Sequence, residues 1–468
     1  MPVIETKDGA VAFESWSYRL QGAGGDALGV EDIAALDAGL VVTDYSRDGT
    51  DEGAFTPADV ATMQGAGPDR KIVLAYISIG ESEDFRAYWD ESWTRDGSAG
   101  GALRSDAPAW LGPLNPEWPD SRKVRYWDED WHAIAIDWVE TIAGQGFDGA
   151  YLDIVDAYYF WAHEVRDKDR EPGDPRSGSE AAARMIDFIV ELSAVARAIN
   201  PDFVLVQQNA PFLLNDLVYD TGGKPKPDDA RIAALHEVVA GIALEDLYLR
   251  GGKDEDNRFR PDKATIKEVI EAYAGQGEFV LSVDYVRKPG LIEKYLARAE
   301  DDGFLPYAAP YRELDRVATT GTGSDDTLLG GAGGDRIYGR GGDDDVSGNA
   351  GRDLLMGNRG SDRLSGDSGD DHLFGGAGAD EIAGGAGKDR LDGGKGADIF
   401  GFAPGDGRDV IADWGPGDRI DLSAFDASLA EVRLKAHDDG TMVRIEGVRI
   451  LVEGVSRSEI DKGGDFIL

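Results

Sequence analysis

The 468-residue chain contains no cysteine. This excludes a disulfide framework and thiolate zinc sites, and it suits a chain that need not be oxidised after export. No run approaches the ~18 apolar residues of a membrane span, so no transmembrane segment is expected. Residues Met1 to Asp8 carry neither the basic region nor the apolar stretch of a secretory leader, so an export address is expected elsewhere. Basic residues are scarce: 48 Lys+Arg stand against 90 Asp+Glu, a net charge of −42. Nucleic acid is disfavoured as a partner, because phosphates call for basic patches, and a cationic ligand is favoured. The same acidity would also keep an extracellular, salt-adapted protein soluble, and both readings stand. The five histidines (132, 163, 236, 372, 437) never pair at metal-ligand spacing. His-Glu-x-x-His and Gly-x-Ser-x-Gly are both absent, which excludes the zinc proteases and α/β-hydrolase lipases built on those motifs.

What is present is a repeat. From Gly321 to Gly401 the chain falls into nine nine-residue units without insertion, GGAGGDRIY (330–338) being the cleanest. The sixth position is always Asp: Asp326, Asp335, Asp344, Asp353, Asp362, Asp371, Asp380, Asp389 and Asp398. The eighth is always apolar, from Leu328 to Phe400. Calcium takes six to eight oxygen ligands from carboxylates and carbonyls. Glycine turns can aim carbonyls inward, one Asp per turn supplies charge, and the apolar residue starts a short strand. The pattern resembles the hemolysin-type (RTX) calcium-binding repeats and implies a parallel β-roll holding several Ca2+ ions. The first unit has Ser324 where glycine stands elsewhere, so its loop is expected to be incomplete. Residues 402–468 resemble the capping and secretion region of substrates of type I exporters. An extracellular protein that folds on meeting calcium is therefore expected.

Glycine marks the boundary, since 25 of 63 lie in the repeats. The expected domains are 1–315, a linker at 316–320, the roll at 321–401 and the cap at 402–468. Upstream, strand candidates 15–20, 40–44, 72–79, 150–154, 204–208, 241–245, 280–284 and 304–306 alternate with helical segments. Eight β/α units in this length predict a (β/α)₈ barrel, with chemistry at the C-terminal strand ends. A doubly wound sheet is the alternative, but no Gly-x-Gly-x-x-Gly follows the first strand. Asp44, Glu81, Asp153, Glu245 and Asp284 each end or follow an apolar run. Paired carboxylates on one bond are what glycoside hydrolysis needs. Seven of the ten tryptophans fall between the third and fourth strands, where aromatics can stack on sugars, while Trp131 and Trp138 have the spacing of a buried helix face.

The segments VLAYISIGESEDFRAYW (73–89), PAWLGPLNPEW (108–118), VRYWDEDW (124–131) and FDGAYLDIVDAYYFW (147–161) resemble the GH114-type endo-α-1,4-polygalactosaminidase-related family. The resemblance covers roughly residues 14–315. It implies a barrel glycosidase acting on galactosamine polymers without a catalytic cofactor. Asp153 is then the nucleophile and Glu245 the acid/base, with Asp246 as a possible exchange for Glu245. Asp44, Tyr76, Glu81, Tyr126, Trp127 and Asp284 are expected around the sugar. Loops 164–180, 220–232 and 250–262 are expected to shape the cleft. The rival readings are a non-catalytic carbohydrate-binding barrel and a surface-layer or adhesion protein.

Overall fold

Short apolar runs flanked by polar helices become strands because a parallel sheet covered on both faces must bury nearly every side chain. The computed structural model describes residues 2–6, 8–20, 29–34, 36, 38–67, 70–115, 118, 120–217, 228–251, 253, 255–310, 318–331, 333–425, 428–460 and 464–468. The insert positions 220–227, 252 and 254 and the linker positions 316 and 317 lie outside them. The chain forms two compact units, Met1–Val286 with Arg298–Arg316, and Arg287–Ala297 with Val317–Leu468.

The first unit is a (β/α)₈ barrel. Its strands are β1 Trp16–Arg19, β2 Leu40–Thr43, β3 Ile72–Ser78, β4 Gly149–Asp153, β5 Val204–Gln208, β6 Val239–Glu245, β7 Phe279–Tyr285 and β8 Leu305–Ala309. Each pairs in parallel with the next. The ring is nearly closed where β1 meets β8: the Trp16 Nε1 donates to the Leu305 carbonyl at 2.9 Å, and the Trp16 and Tyr307 rings lie 5.5 Å apart. The eight predicted strands are all present. Helix α1, Glu129–Gln145, starts at an Asp128 cap and stops at left-handed Gly146. Its Trp131 and Trp138 face inward, as their spacing predicts.

Two features went unforeseen. Glu81–Glu83, Ser121–Val124 and Leu111–Leu114 form a small antiparallel sheet after β3. The aromatics of that insert pack largely on one another, with Trp89–Trp93, Trp93–Trp110 and Trp110–Trp131 centroids 5.4, 5.2 and 4.9 Å apart. Of the insert tryptophans, Trp118 stands out as 54 % exposed.

In the second unit, successive nonapeptides lay strands alternately into two parallel sheets, so sheet neighbours are 18 residues apart, as in Leu328↔Val346 and Leu355↔Leu373. All nine eighth-position side chains are buried between the sheets. Close stacking of the turns requires glycine: at Gly369 (φ 152°) a Cβ would sit 1.4 Å from the Gly351 carbonyl oxygen. Beyond the repeats, three antiparallel strands extend one sheet. Phe466–Ile467 pairs with Arg419–Asp421 at the edge of the other. Leu364→Ala, at a site 1 % exposed, is expected to cost about 2–5 kcal/mol. Urea unfolding in saturating calcium measures it.

Candidate functional site

Side chains alternate along a strand, so Tyr151 and Asp153 on β4 share a face. The Tyr151 ring lies 5.2 Å from Tyr18 on β1, and Tyr18 lies 6.5 Å from Tyr76 on β3. Trp16 and Tyr307 continue this aromatic layer. The Tyr151 hydroxyl is buried without a hydrogen-bond partner. Two residues further along β4, Asp153 accepts the Tyr76 hydroxyl on Oδ2 at 2.6 Å and the Ile154 N–H on Oδ1 at 2.7 Å. On β6, Glu245 accepts the Tyr285 hydroxyl on Oε1 at 2.8 Å, and its N–H donates to Asn209 Oδ1 at 3.2 Å.

The two carboxyls feel each other. Burial pushes the Asp153 carboxyl well up, and the Glu245 charge pushes it further. The Tyr151 phenol is raised by burial, then by Glu245 and Asp153. The backbone at this rim is also unusual. Ile154 after β4, Asn209 and Ala210 after β5, and Asp246 after β6 all adopt left-handed φ of 51–57°. Such conformations are rare for residues other than glycine, above all for β-branched isoleucine, and they cluster at functional sites.

The other residues expected around the sugar are engaged elsewhere. Asp44 is 5 % exposed and ion-paired with Arg86 at 2.7 Å. Arg86 also holds Glu83 at 2.8 Å and lies over the Tyr76 ring at 6.0 Å. Glu81 is 3 % exposed and accepts from Asn115 at 2.9 Å, Ser121 at 2.6 Å and Lys123. Asp284 is fully buried because it faces away from its neighbour Tyr285; it accepts the Tyr248 and Leu249 N–H groups at 3.2 and 2.7 Å. Tyr126 is equally buried and donates to the Ala181 carbonyl at 2.8 Å. Trp127 is half-buried, edge-on to Trp161 at 5.2 Å and beneath Arg184. Tyr285, whose hydroxyl reaches Glu245, is the residue sequence reasoning missed. Tyr76→Phe removes a donor that lowers the Asp153 pKa. It is expected to raise that pKa further, as read by NMR titration of the labelled carboxyl.

The roll holds a second kind of site. From Asp344 to Asp398 each repeat Asp accepts, on Oδ1, the N–H of the Asp one turn earlier, as in Asp353 N to Asp371 Oδ1 at 2.8 Å. The Oδ2 atoms of Asp344, Asp353, Asp362, Asp371, Asp380, Asp389 and Asp398 are buried and have no hydrogen-bond partner. A buried carboxylate oxygen without a donor is costly, so this chemistry fits a hard cation. Among the described residues no three acidic or histidine side chains converge. The remaining ligands would therefore be backbone carbonyls of the glycine loops. Bound calcium supplies the positive charge that these carboxylates otherwise lack. Two further acids continue the ladder: Asp409 and Asp418 accept the N–H groups of Asp389 and Asp398 at 3.1 and 3.0 Å. Asp409 also has an orphaned Oδ2. Their spacing is 20 residues and not 18, which hides them from a search in steps of nine.

Burial, reinforced by neighbouring carboxylates, raises Asp344 and Asp380 to about 7 and Asp353 and Asp371 to about 6. A carboxyl raised on folding favours the fold below its unfolded pKa, and that contribution is lost as pH rises through the folded pKa. In chelator, the β-signal of the roll is expected to survive near pH 4 and disappear between roughly pH 5 and 8. Added calcium should restore it at neutral pH, and circular dichroism follows both steps.

A model for the family described as glycoside-hydrolase family GH114 matches residues 5–324. The chain belongs to this family. A second model, for the RTX calcium-binding nonapeptide repeat, matches five overlapping stretches between residues 320 and 411. The GH114 region is 34 % identical to an uncharacterized protein of Methanocaldococcus jannaschii, over 65 % of this chain and 78 % of that one. It is 31 % identical to an uncharacterized protein of Thermotoga maritima, over 66 % and 84 %. The glycoside hydrolase domain of PelA from Pseudomonas aeruginosa is similar at 17 % identity and a TM-score of 0.43, covering 65 % of this chain and 97 % of that domain. By its family the barrel is a glycoside hydrolase, and the GH114 chain carries calcium-binding repeats. Among the described residues no helix is long and apolar enough to cross a membrane.

Proposed function

We propose that this GH114 protein is an exported endo-hydrolase that cuts within an aminosugar polysaccharide, with Asp153 as nucleophile and Glu245 as general acid/base. The observation that carries the reading is the electrically coupled pair at the ends of β4 and β6, each carboxyl held by a tyrosine hydroxyl. The assignment of roles within the pair is the one that the GH114-type resemblance implies. Two ionised carboxyls in one buried site repel, so one holds a proton. The Tyr76 hydroxyl and Ile154 N–H favour the ionised form of Asp153. A protonated Glu245 removes the neighbouring charge that opposes that form. In this state Glu245 can protonate the leaving glycosidic oxygen while Asp153 attacks the anomeric carbon. Asp153 loses its charge on forming the bond as Glu245 gains one, so the pair carries one negative charge throughout. Water then takes the sugar, with Glu245 accepting its proton.

For the substrate, residues 1–318 carry a net charge of −28. That favours a cationic polymer, and the GH114-type resemblance narrows the choice to α-1,4-linked galactosamine. The RTX repeats support release to the cell exterior through a type I exporter, where calcium would fold the roll.

The test is reducing-sugar release from a deacetylated α-1,4-galactosamine polymer with calcium present. Asp153→Asn and Glu245→Gln are each expected to lower release at least about a hundredfold, with the fold retained by circular dichroism. Binding of the polymer with no turnover by the unaltered chain would instead favour a carbohydrate-binding barrel.

A further inference from the structure

The nine repeat loops are not alike. In seven of them the second residue is left-handed: Arg340, Asn349, Asn358, Asp367, Gly376, Gly385 and Gly394, with φ between 62 and 113°. These are the loops of Asp344, Asp353, Asp362, Asp371, Asp380, Asp389 and Asp398, the same seven whose Oδ2 is buried and unpartnered. In the first two loops the second residue is Thr322 or Gly331, and neither has a positive φ. There its N–H turns inward and closes the carboxylate. Thr322 N donates to Asp326 Oδ2 at 2.5 Å and its hydroxyl at 2.9 Å, while Gly331 N donates to Asp335 Oδ2 at 2.7 Å. A left-handed residue rotates its N–H out of this position, which links the two observations physically.

The first-position carbonyls follow the same division. Arg340 donates from its guanidinium to the Gly321 carbonyl at 3.0 Å, and Asn349 donates from its amide to the Gly330 carbonyl at 2.7 Å. Arg340 is 7 % exposed, so it brings a fixed positive charge into the start of the roll. From the fourth repeat bearing a left-handed residue onward, that residue is Asp367 or glycine and offers no side-chain donor for a carbonyl.

We propose that the first two repeats, despite their Asp residues, take no calcium: protein donors close them, with Arg340 as the resident cation, and calcium is held from the third repeat onward. The sequence alone points the other way for the second repeat, because GGAGGDRIY is the cleanest match to the repeat pattern. That contrast makes Asp335 the discriminating residue. It sits one turn before Asp353 in the same ladder.

The experiment uses the full chain. Calcium per chain is measured by equilibrium dialysis with metal analysis, and the calcium midpoint of folding by circular dichroism, for the unaltered protein, Asp335→Asn and Asp353→Asn. Asp335→Asn is expected to keep the full calcium count and the midpoint within about twofold, whereas Asp353→Asn loses at least one ion and shifts the midpoint upward. A loss of calcium in Asp335→Asn equal to that in Asp353→Asn would overturn the proposal. Should Asp335→Asn not fold even in high calcium, the unaltered chain decides. One ion for each orphaned oxygen, Asp409 included, allows eight at most; a higher count of tightly held ions overturns the assignment.

Discussion

A carboxylate oxygen buried without a donor is among the least tolerable groups in a folded chain, and the roll repeats that arrangement turn after turn. Desolvation acts on Asp344 and Asp380, and the next turn adds like charge. The apolar column from Leu328 to Phe400 can close only if this opposition is neutralised. A divalent ion does so where a monovalent partner would leave residual charge, and glycine loops provide its remaining oxygens without further acid. Core, turn chemistry and cation requirement are thus three aspects of one nine-residue pattern.

The barrel meets the same difficulty with protein donors, and the kind of donor differs from one acid to the next. Asp148 is matched by Arg70 at 2.6 Å and by Gln64 and the Val73 N–H, each at 3.0 Å. Glu81 has Asn115, Ser121 and Lys123, and Asp44 has Arg86. Asp153 and Glu245 instead accept from neutral phenols, and the Glu245 charge acts on Asp153. A carboxyl raised in this way fits the proton-transfer chemistry proposed for the pair.

Periodicity made much of this legible in advance. Eight apolar runs gave the barrel because parallel strands must be apolar on both faces, and strict phase over 81 residues gave the roll. Asp153 could be placed at a strand end for the same reason. Legibility failed where the decisive contact is tertiary. Nothing local shows that Glu81 will meet Lys123 across a small sheet, that Arg86 will cover Asp44, or that the tyrosine after Asp284 is the one to reach Glu245. It failed again where a two-residue insertion broke the phase and concealed Asp409 and Asp418. The bond of the Tyr126 hydroxyl to the Ala181 carbonyl is likewise a tertiary contact that no local pattern shows.

The carboxylate ladder has a consequence for how the roll comes apart. From Asp344 onward each repeat Asp receives an N–H from the turn before, so the ladder couples each turn to its immediate neighbours. Such an array behaves as a one-dimensional chain of coupled spins, whose stability is a sum of unit and nearest-neighbour terms. An opened turn at an end merely shortens the ordered segment. An opened turn in the middle creates two new boundaries and forfeits two couplings, so interior substitutions should be felt far more sharply than chemically identical ones at either edge.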